Sequence, residues 1–158
     1  MSGKNDERVF VRWVRIDDFL AVSALTRDCY TVPIPVCIFR DAIESPNKWM
    51  RVAVVRGQIV GMMVYERDGA NLICDMCVHP DIRRRGIGTR LLGYVLRKLE
   101  SGAAIAAEFC LTLPEAESFL RSFGAKCTGI KRRVAEQGGD LFVFQLKKKQ
   151  GGFENAGV

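Results

Sequence analysis

The sequence predicts a mixed α/β domain built on one mostly antiparallel sheet flanked by about four helices, and three observations predict it. Three apolar runs, Met50–Val55, Ile59–Glu66 and Leu72–Val78, follow one another with only short turns between them, as in an antiparallel meander. The third run leads through a basic glycine turn into a segment with apolar residues at helical spacing, and a further apolar run follows. That spacing suits a parallel crossover. Near the end, Cys127–Val134 and Leu141–Leu146 flank Gln137-Gly138-Gly139-Asp140 and make a hairpin.

Taken in order, Val9–Arg15 alternates apolar and charged residues as a half-buried strand does, and Asp17 or Asp18 can cap a helix running toward Asp28. Two prolines make the stretch from Thr31 to Val36 irregular, after which Cys37–Glu44 forms a short helix ended by Ser45-Pro46-Asn47. Arg56-Gly57-Gln58 and Asp68-Gly69-Ala70-Asn71 separate the meander strands. Leu91, Leu92, Val95, Leu96 and Leu99 give the Gly88–Leu99 helix one apolar face. Ser101-Gly102 breaks it, and Ala104–Leu111 is the next strand. Thr112 and Glu115 form a capping box for a helix with Ala116, Phe119, Leu120 and Phe123 on its apolar side, ended by Gly124.

The 158 residues predict a single domain over 9–147, with flexible tails at 1–8 and 148–158. No apolar run is long enough to span a membrane, and the chain lacks a secretory leader pattern. The net charge of +6 would suit a polyanion such as RNA, but arginines that hold a polyphosphate account for part of it, so direct nucleic-acid binding is not expected. Six cysteines without a secretion signal read as reduced thiols in the cytoplasm. Cys74-x-x-Cys77 lies within one apolar strand, where residues three apart face opposite ways, so no metal is expected. Cys29, Cys37, Cys110 and Cys127 read as small buried hydrophobes. The oligomeric state stays open.

The segment from Val78 to Leu92, V-H-P-D-I-R-R-R-G-I-G-T-R-L-L, carries the functional signal. Gly86 and Gly88 remove side chains that would obstruct a concavity of backbone N–H groups, and the following helix turns its partial positive end toward the same place. Arg83, Arg84, Arg85 and Arg90 add charge. A Walker loop needs Gly-Lys-Ser/Thr where Gly88-Thr89-Arg90 stands, and a dinucleotide fingerprint needs a third glycine where Leu91 stands. The remaining pattern is Arg83-x-x-Gly86-x-Gly88 after a Val-His-Pro strand end.

In this pattern the chain resembles the GNAT superfamily of acyl-CoA N-acyltransferases, whose signature is Gln/Arg-x-x-Gly-x-Gly/Ala after a Val-x-Pro strand end. The resemblance implies a sheet of six to seven strands whose fourth and fifth strands are parallel and splay apart. It also implies that the loop Arg83, Arg84, Arg85, Gly86, Ile87, Gly88, Thr89 and Arg90 binds the pyrophosphate of acetyl-CoA, the acyl donor. Met76 and Val78 would offer backbone groups to the pantetheine arm and the acetyl carbonyl, and an N–H near Met76 or Cys77 would stabilise the oxyanion.

Glu108 sits in an apolar strand, where a carboxylate needs a cleft or a cationic partner. Aligned on Gly124, it falls on the glutamate that deprotonates the amine in ribosomal-protein alanine N-acetyltransferases; an edge carboxylate paired with a lysine or arginine is the competing reading. The same alignment puts the family's asparagine on Leu113, its glycine-following phenylalanine on Ala125, and the tyrosine that protonates the thiolate on Leu120. Tyr94, Tyr30 and Cys110 are candidate substitutes. Asp75 either binds the acceptor ammonium or pairs with an arginine, and His79 reads as a turn residue. The resemblance brings the acceptor in over Tyr30–Phe39 and Arg132–Asp140. Lys131, Arg132 and Arg133 would repel a polyamine, so a peptide or protein amine is expected; an antibiotic-type amine, or an acyl-CoA sensor without turnover, are the alternatives.

Overall fold

The computed structural model describes residues 8–30, 33–99, 103–110, 114–132 and 141–147, with side chains left aside at 108–110, 114, 115 and 141. Its strands are β1 (Val9–Trp13), β2 (Lys48–Val55), β3 (Gln58–Asp68), β4 (Ala70–Val78), β5 (Ala104–Cys110), β6 (Lys126–Lys131) and β7 (Leu141–Lys147). Its helices are α1 (Phe19–Tyr30), α2 (Val36–Glu44), α3 (Ile87–Lys98) and α4 (Pro114–Ser122). The described strands form one mixed sheet in the order β1-β2-β3-β4-β5-β7-β6. Its parallel pair is β4 with β5, and the order of elements is the one the sequence predicts. The Thr112 end of the capping box, the Gln137–Asp140 turn and the tail residues 1–7 and 148–158 lie outside the described residues. The chain divides into two compact units, Met1–Val64 with Met76–Val95, and Tyr65–Asp75 with Leu96–Val158.

In the first unit, β1 pairs antiparallel with β2 from Val9 opposite Val55 to Trp13 opposite Arg51. Arg56 (φ +50°) and Gly57 (φ +78°) are consecutive left-handed residues, which is the backbone of a tight hairpin turn into β3. Gly61, Met62, Met63 and Val64 form an unbroken buried run, as expected for a strand covered on both faces. Ile87, Leu91, Leu92 and Val95 are buried along one side of α3. The buried Thr26 hydroxyl donates to the Ser23 carbonyl and accepts from the Ile34 amide at 2.7 Å, which ties the proline-bearing loop to α1.

Strand β1 stops at Trp13 rather than Arg15, because the chain turns into a short 3-10 segment, Ile16–Asp18. Asp18 is the cause. Its carboxylate takes two hydrogen bonds from Arg12, at 2.7 and 2.9 Å, and one from the Arg15 amide at 2.7 Å. It therefore ties the turn back onto β1 and, through the Arg15 amide, closes the capping box of the 3-10 turn that leads directly into α1. Hydrogen bonding to Arg12, helped by the Arg15 amide and opposed by burial, holds the Asp18 carboxyl below the usual carboxylate range. A depressed acid stabilises the fold above its unfolded value of about 3.9 and loses that contribution as pH falls through the lower folded value. Asp18→Asn should therefore cost about 1 kcal/mol near neutrality, allowing for solvent screening, and nothing at the acid end. Thermal melts of both proteins from pH 7 down to 2.5 read the convergence.

In the second unit, Asn71–Ile73 of β4 run parallel to Ile105–Ala107 of β5, and β5 pairs antiparallel with β7 from Ala104 opposite Lys147 to Cys110 opposite Leu141. Ile105, Ala107, Leu120, Ala125, Phe144 and Leu146 are its buried apolar residues. The Tyr65 hydroxyl donates to Asn71 Oδ1 at 2.5 Å, and Asn71 Nδ2 donates to the Ala104 carbonyl. Burial pushes the Tyr65 phenol up. Gly124 (φ +83°) ends α4 through the Ala125 amide bonded to the Leu120 carbonyl, a glycine C-terminal cap as the sequence predicts. Strand β6 ends at Lys131, short of the expected Val134; residues 133–140 lie outside the described residues.

Candidate functional site

The basic turn joins the end of β4 to α3. Pro80–Ile82 form a single 3-10 turn, Arg83 returns to extended backbone, and both Arg84 (φ +65°) and Gly86 (φ +78°) adopt the left-handed region. For glycine that geometry is unstrained; for arginine it costs on the order of 1 kcal/mol and persists only where the surroundings impose it. Gly86 is the residue before α3, and its carbonyl takes the Arg90 amide at 3.0 Å. The amides of Ile87, Gly88 and Thr89 thus precede the first intrahelical bond, and the helix dipole adds positive potential there. Gly88 lies within the first turn of α3, so of the two glycines Gly86 is the one required by backbone conformation. Arg84, Arg85, Thr89 and Arg90 are exposed around this end, while Ile87 is buried beneath it. The geometry fits a polyanionic group such as a pyrophosphate.

Arg83 does something different from its neighbours. Its side chain is half-buried and its Nε donates to the Val78 carbonyl at 2.9 Å, so it clamps the strand end on which the turn is mounted.

Three consecutive residues at the end of α1 reach the same strand end. Asp28 Oδ2 lies 3.4 Å from His79 Nε2, the Cys29 thiol donates to the Val78 carbonyl at 3.4 Å, and the Tyr30 hydroxyl donates to the Met76 carbonyl at 2.7 Å. His79 Nδ1 accepts the Asp81 amide, so this histidine caps the turn, in agreement with a turn role. On the other side of β4, the His79 amide donates to Val60 of β3. Met76 and Val78 therefore direct their backbone groups to the edge away from β3, since alternate residues of a strand point to opposite neighbours. Both carbonyls on that edge already accept hydrogen bonds, which leaves the N–H groups as the donors these residues can offer.

Cys29 is half-buried, and its thiol is held below its ordinary value, first by a hydrogen bond with the Cys77 side chain and further by Arg83, against the effect of burial. Cys77 is buried and Cys74 hydrogen bonds to Glu66 at 3.3 Å, so the two cysteines of Cys74-x-x-Cys77 serve different neighbours. Cys37 and Cys127 are exposed, which corrects their reading as buried hydrophobes: on α2 and on the edge strand β6 they fall on solvent faces. Cys29 is only half-buried for the same comparison, and the Cys110 side chain lies outside the described residues. Among the described residues no group of three His, Cys, Asp or Glu side chains could hold a metal ion.

Of the alternative acids, Tyr94 packs its ring under the Arg51 guanidinium, 4.8 Å from the ring centre, with Trp13 on the same guanidinium at 3.7 Å. Asp75 is half-buried in β4. Glu108 stands in β5 in register with Val143 of β7; its side chain lies outside the described residues. Leu120, at the position where the sequence comparison wanted a tyrosine, is buried. Sequence reading gave no signal for the Tyr30–Met76 contact, which joins residues 46 positions apart.

A family model described as an acetyltransferase (GNAT) domain matches residues 46–124, half of the chain, and spans the meander, the basic turn, α3, β5 and α4. The chain belongs to the GNAT acetyltransferase family. It is an acyl-CoA N-acyltransferase by that membership. Among solved GNAT structures it is similar to the ribosomal-protein-S18-alanine N-acetyltransferase from Escherichia coli, with a TM-score of 0.76, 18% identity, and coverage of 94% of this chain and 98% of that one. It is similar to Arabidopsis thaliana Naa50 in complex with the bisubstrate analogue CoA-Ac-MVNAL, with a TM-score of 0.73, 21% identity, and coverage of 87% and 97%. It is also similar to Arabidopsis thaliana NAA60 in complex with acetyl-CoA, with a TM-score of 0.73, 14% identity, and coverage of 89% and 98%. No curated protein sequence matches the chain. Among the described residues no helix is long and apolar enough to cross a membrane.

Proposed function

We propose that residues 9–147 form an acetyltransferase domain that moves the acetyl group of acetyl-CoA to a primary amine of a peptide or protein, either an N-terminal amine or a lysine. The observation that carries this reading is the cradle between β4 and α3: left-handed backbone at Arg84 and Gly86, followed by the first amides of α3 with exposed arginines around them. In this reading the backbone from Arg84 to Thr89 takes the pyrophosphate, with Arg84, Arg85 and Arg90 adding charge. Arg83 acts one step back, by holding the Val78 carbonyl. The N–H groups of Met76 and Val78 serve the acyl carbonyl and the pantetheine arm, and the Cys77 segment fixes their spacing. Glu108 removes the proton from the acceptor ammonium, and the neutral amine attacks the thioester directly.

The peptide class of acceptor draws on the neighbours, one of which is solved with a coenzyme–peptide analogue. It draws also on the exposed Lys126, Lys131 and Arg132, which disfavour a polycation. The free thiols suit a reducing compartment, and we assign the enzyme to the cytoplasm.

Calorimetric titration with acetyl-CoA and coenzyme A, followed by thiol release with N-terminal and lysine peptides, tests the proposal. Binding in the micromolar range, on the order of −8 kcal/mol, with thiol release from one peptide class is the expected result. No binding would remove the coenzyme reading of the cradle. A non-catalytic acyl-CoA sensor is the second reading, favoured by a buried leucine at position 120; binding without release to any amine would establish it.

A further inference from the structure

We infer that Tyr30 is the catalytic acid that protonates the departing thiolate, taking over from the helix α4 position that Leu120 occupies. The inference rests on the proposed acetyl transfer and adds a residue to it.

The chain has three tyrosines, and the structure gives each a distinct employment. Tyr65 spends its hydroxyl proton on Asn71 at 2.5 Å. Tyr94 lies on α3 with its ring against Arg51. Tyr30 has its hydroxyl at the far end of β4, next to the basic turn, where it donates to the Met76 carbonyl at 2.7 Å. The carbonyl and amide of one extended residue point to the same edge of a strand, so this phenol sits beside the Met76 N–H. That N–H is the donor proposed for the acyl carbonyl. The thioester sulfur is bonded to the carbon of that carbonyl, which brings it within the reach of a phenol pivoting away from Met76. The anchoring contacts of Asp28 and Cys29 on His79 and Val78 fix the end of α1 that carries Tyr30.

The protons balance. The neutral amine nitrogen donates its electron pair to the thioester carbon, and the C–S bond breaks with its pair going to sulfur. Sulfur takes the Tyr30 phenol proton as it leaves. The new amide nitrogen carries one surplus proton, which returns to the phenolate directly or through water, so that amine and thioester give amide and free thiol with Tyr30 restored. An unassisted phenol is a weaker acid than a thiol, about 10 against 8.5, so the transfer depends on that return of a proton from a far more acidic ammonium.

Tyr30→Phe removes the hydroxyl and keeps the ring. The expected result is a fall in kcat of about 100-fold with the coenzyme A dissociation constant unchanged within about twofold. A second reading needs no turnover: a hydroxyl that donates to sulfur favours the thiolate, so the ultraviolet thiolate band of bound coenzyme A should appear at lower pH in the wild type than in Tyr30→Phe. A variant kcat within about threefold of wild type, or identical thiolate titrations in the two proteins, would overturn the assignment. Failure of the wild-type protein to bind coenzyme A at all would overturn the coenzyme reading itself, and it is recognised without any variant.

Discussion

Glu108→Gln should lower kcat by about 100-fold or more while leaving the KM for acetyl-CoA within about twofold. The substitution is nearly isosteric and leaves β5 free to keep its register, in which residue 108 faces Val143 across to β7. It removes only the capacity to accept a proton. How much that matters depends on the acceptor. At pH 7 about one in seven α-amino groups is already neutral, from a reference pKa of about 7.8, whereas for lysine the fraction is about one in 2,500. If Glu108 supplies the neutral amine, its loss falls harder on a lysine peptide than on an N-terminal one. The deficit of Glu108→Gln should then shrink as pH rises toward the pKa of the amine. Thiol-release rates with the two peptide classes from pH 6.5 to 9.5 measure both effects. A deficit that is constant across pH, or a parallel rise in KM for the coenzyme, would mean that Glu108 supports the structure and does not take the proton.

The elements that positioned these residues were legible because each is announced locally. Gly57 and Gly69 have positive φ at the two meander turns, and Gly124 has it at the end of α4, where the sequence put the breaks. The Leu91, Leu92, Val95 and Leu96 stripe buries as its spacing requires. The cradle was legible for the same reason, since a glycine turn and a helix start are adjacent in sequence. Departures occur where a side chain acts across a distance. Asp18 reads as a helix cap by local rules and does close a capping box with Arg15, but its two further bonds from Arg12 on β1 have no local signal. Cysteine is usually buried, which predicts core positions for Cys37 and Cys127, but their elements turn both to solvent. The grip of Asp28, Cys29 and Tyr30 on the end of β4 spans 46 to 51 positions in the chain, and nothing in the local pattern of α1 encodes it. The segment that reads as a plain helix end is thereby the one that brings a phenol to Met76.

Gly61→Val should unfold the protein at lower temperature and also weaken coenzyme binding, because this glycine packs against Ile87 and Leu91, under the turn proposed to hold the coenzyme phosphates. A Cβ at position 61 would stand 3.2 Å from the Cys77 carbonyl oxygen, 3.2 Å from Ile87 Cγ2 and 3.2 Å from Leu91 Cδ1. A glycine inside a strand commonly marks such a close approach of backbone or side chains. The Leu91 and Ile87 side chains can yield by a few tenths of an ångström to a single methyl, but the Cys77 carbonyl is strand backbone and yields less. Valine adds two further methyl groups to a site with no space, and overpacking of this kind costs about 1–3 kcal/mol. For a chain of this length about 2 kcal/mol lowers Tm by roughly 4–8 °C. Ile87 is also the first residue of α3, and its amide opens the cradle, so the relief of strain by moving Ile87 shifts the N–H groups that are to meet the phosphates. Coenzyme affinity should fall by about tenfold, equivalent to about 1.4 kcal/mol. Gly57→Ala is the control. It is strained by its φ of +78° and has open space around the added methyl, at a turn remote in sequence from the cradle, so it should lower Tm without changing coenzyme affinity. Equal losses of Tm in the two variants with unchanged affinity in both would separate the packing under Ile87 from the binding site, and the coupling drawn here between the β3 glycine and the cradle would be wrong.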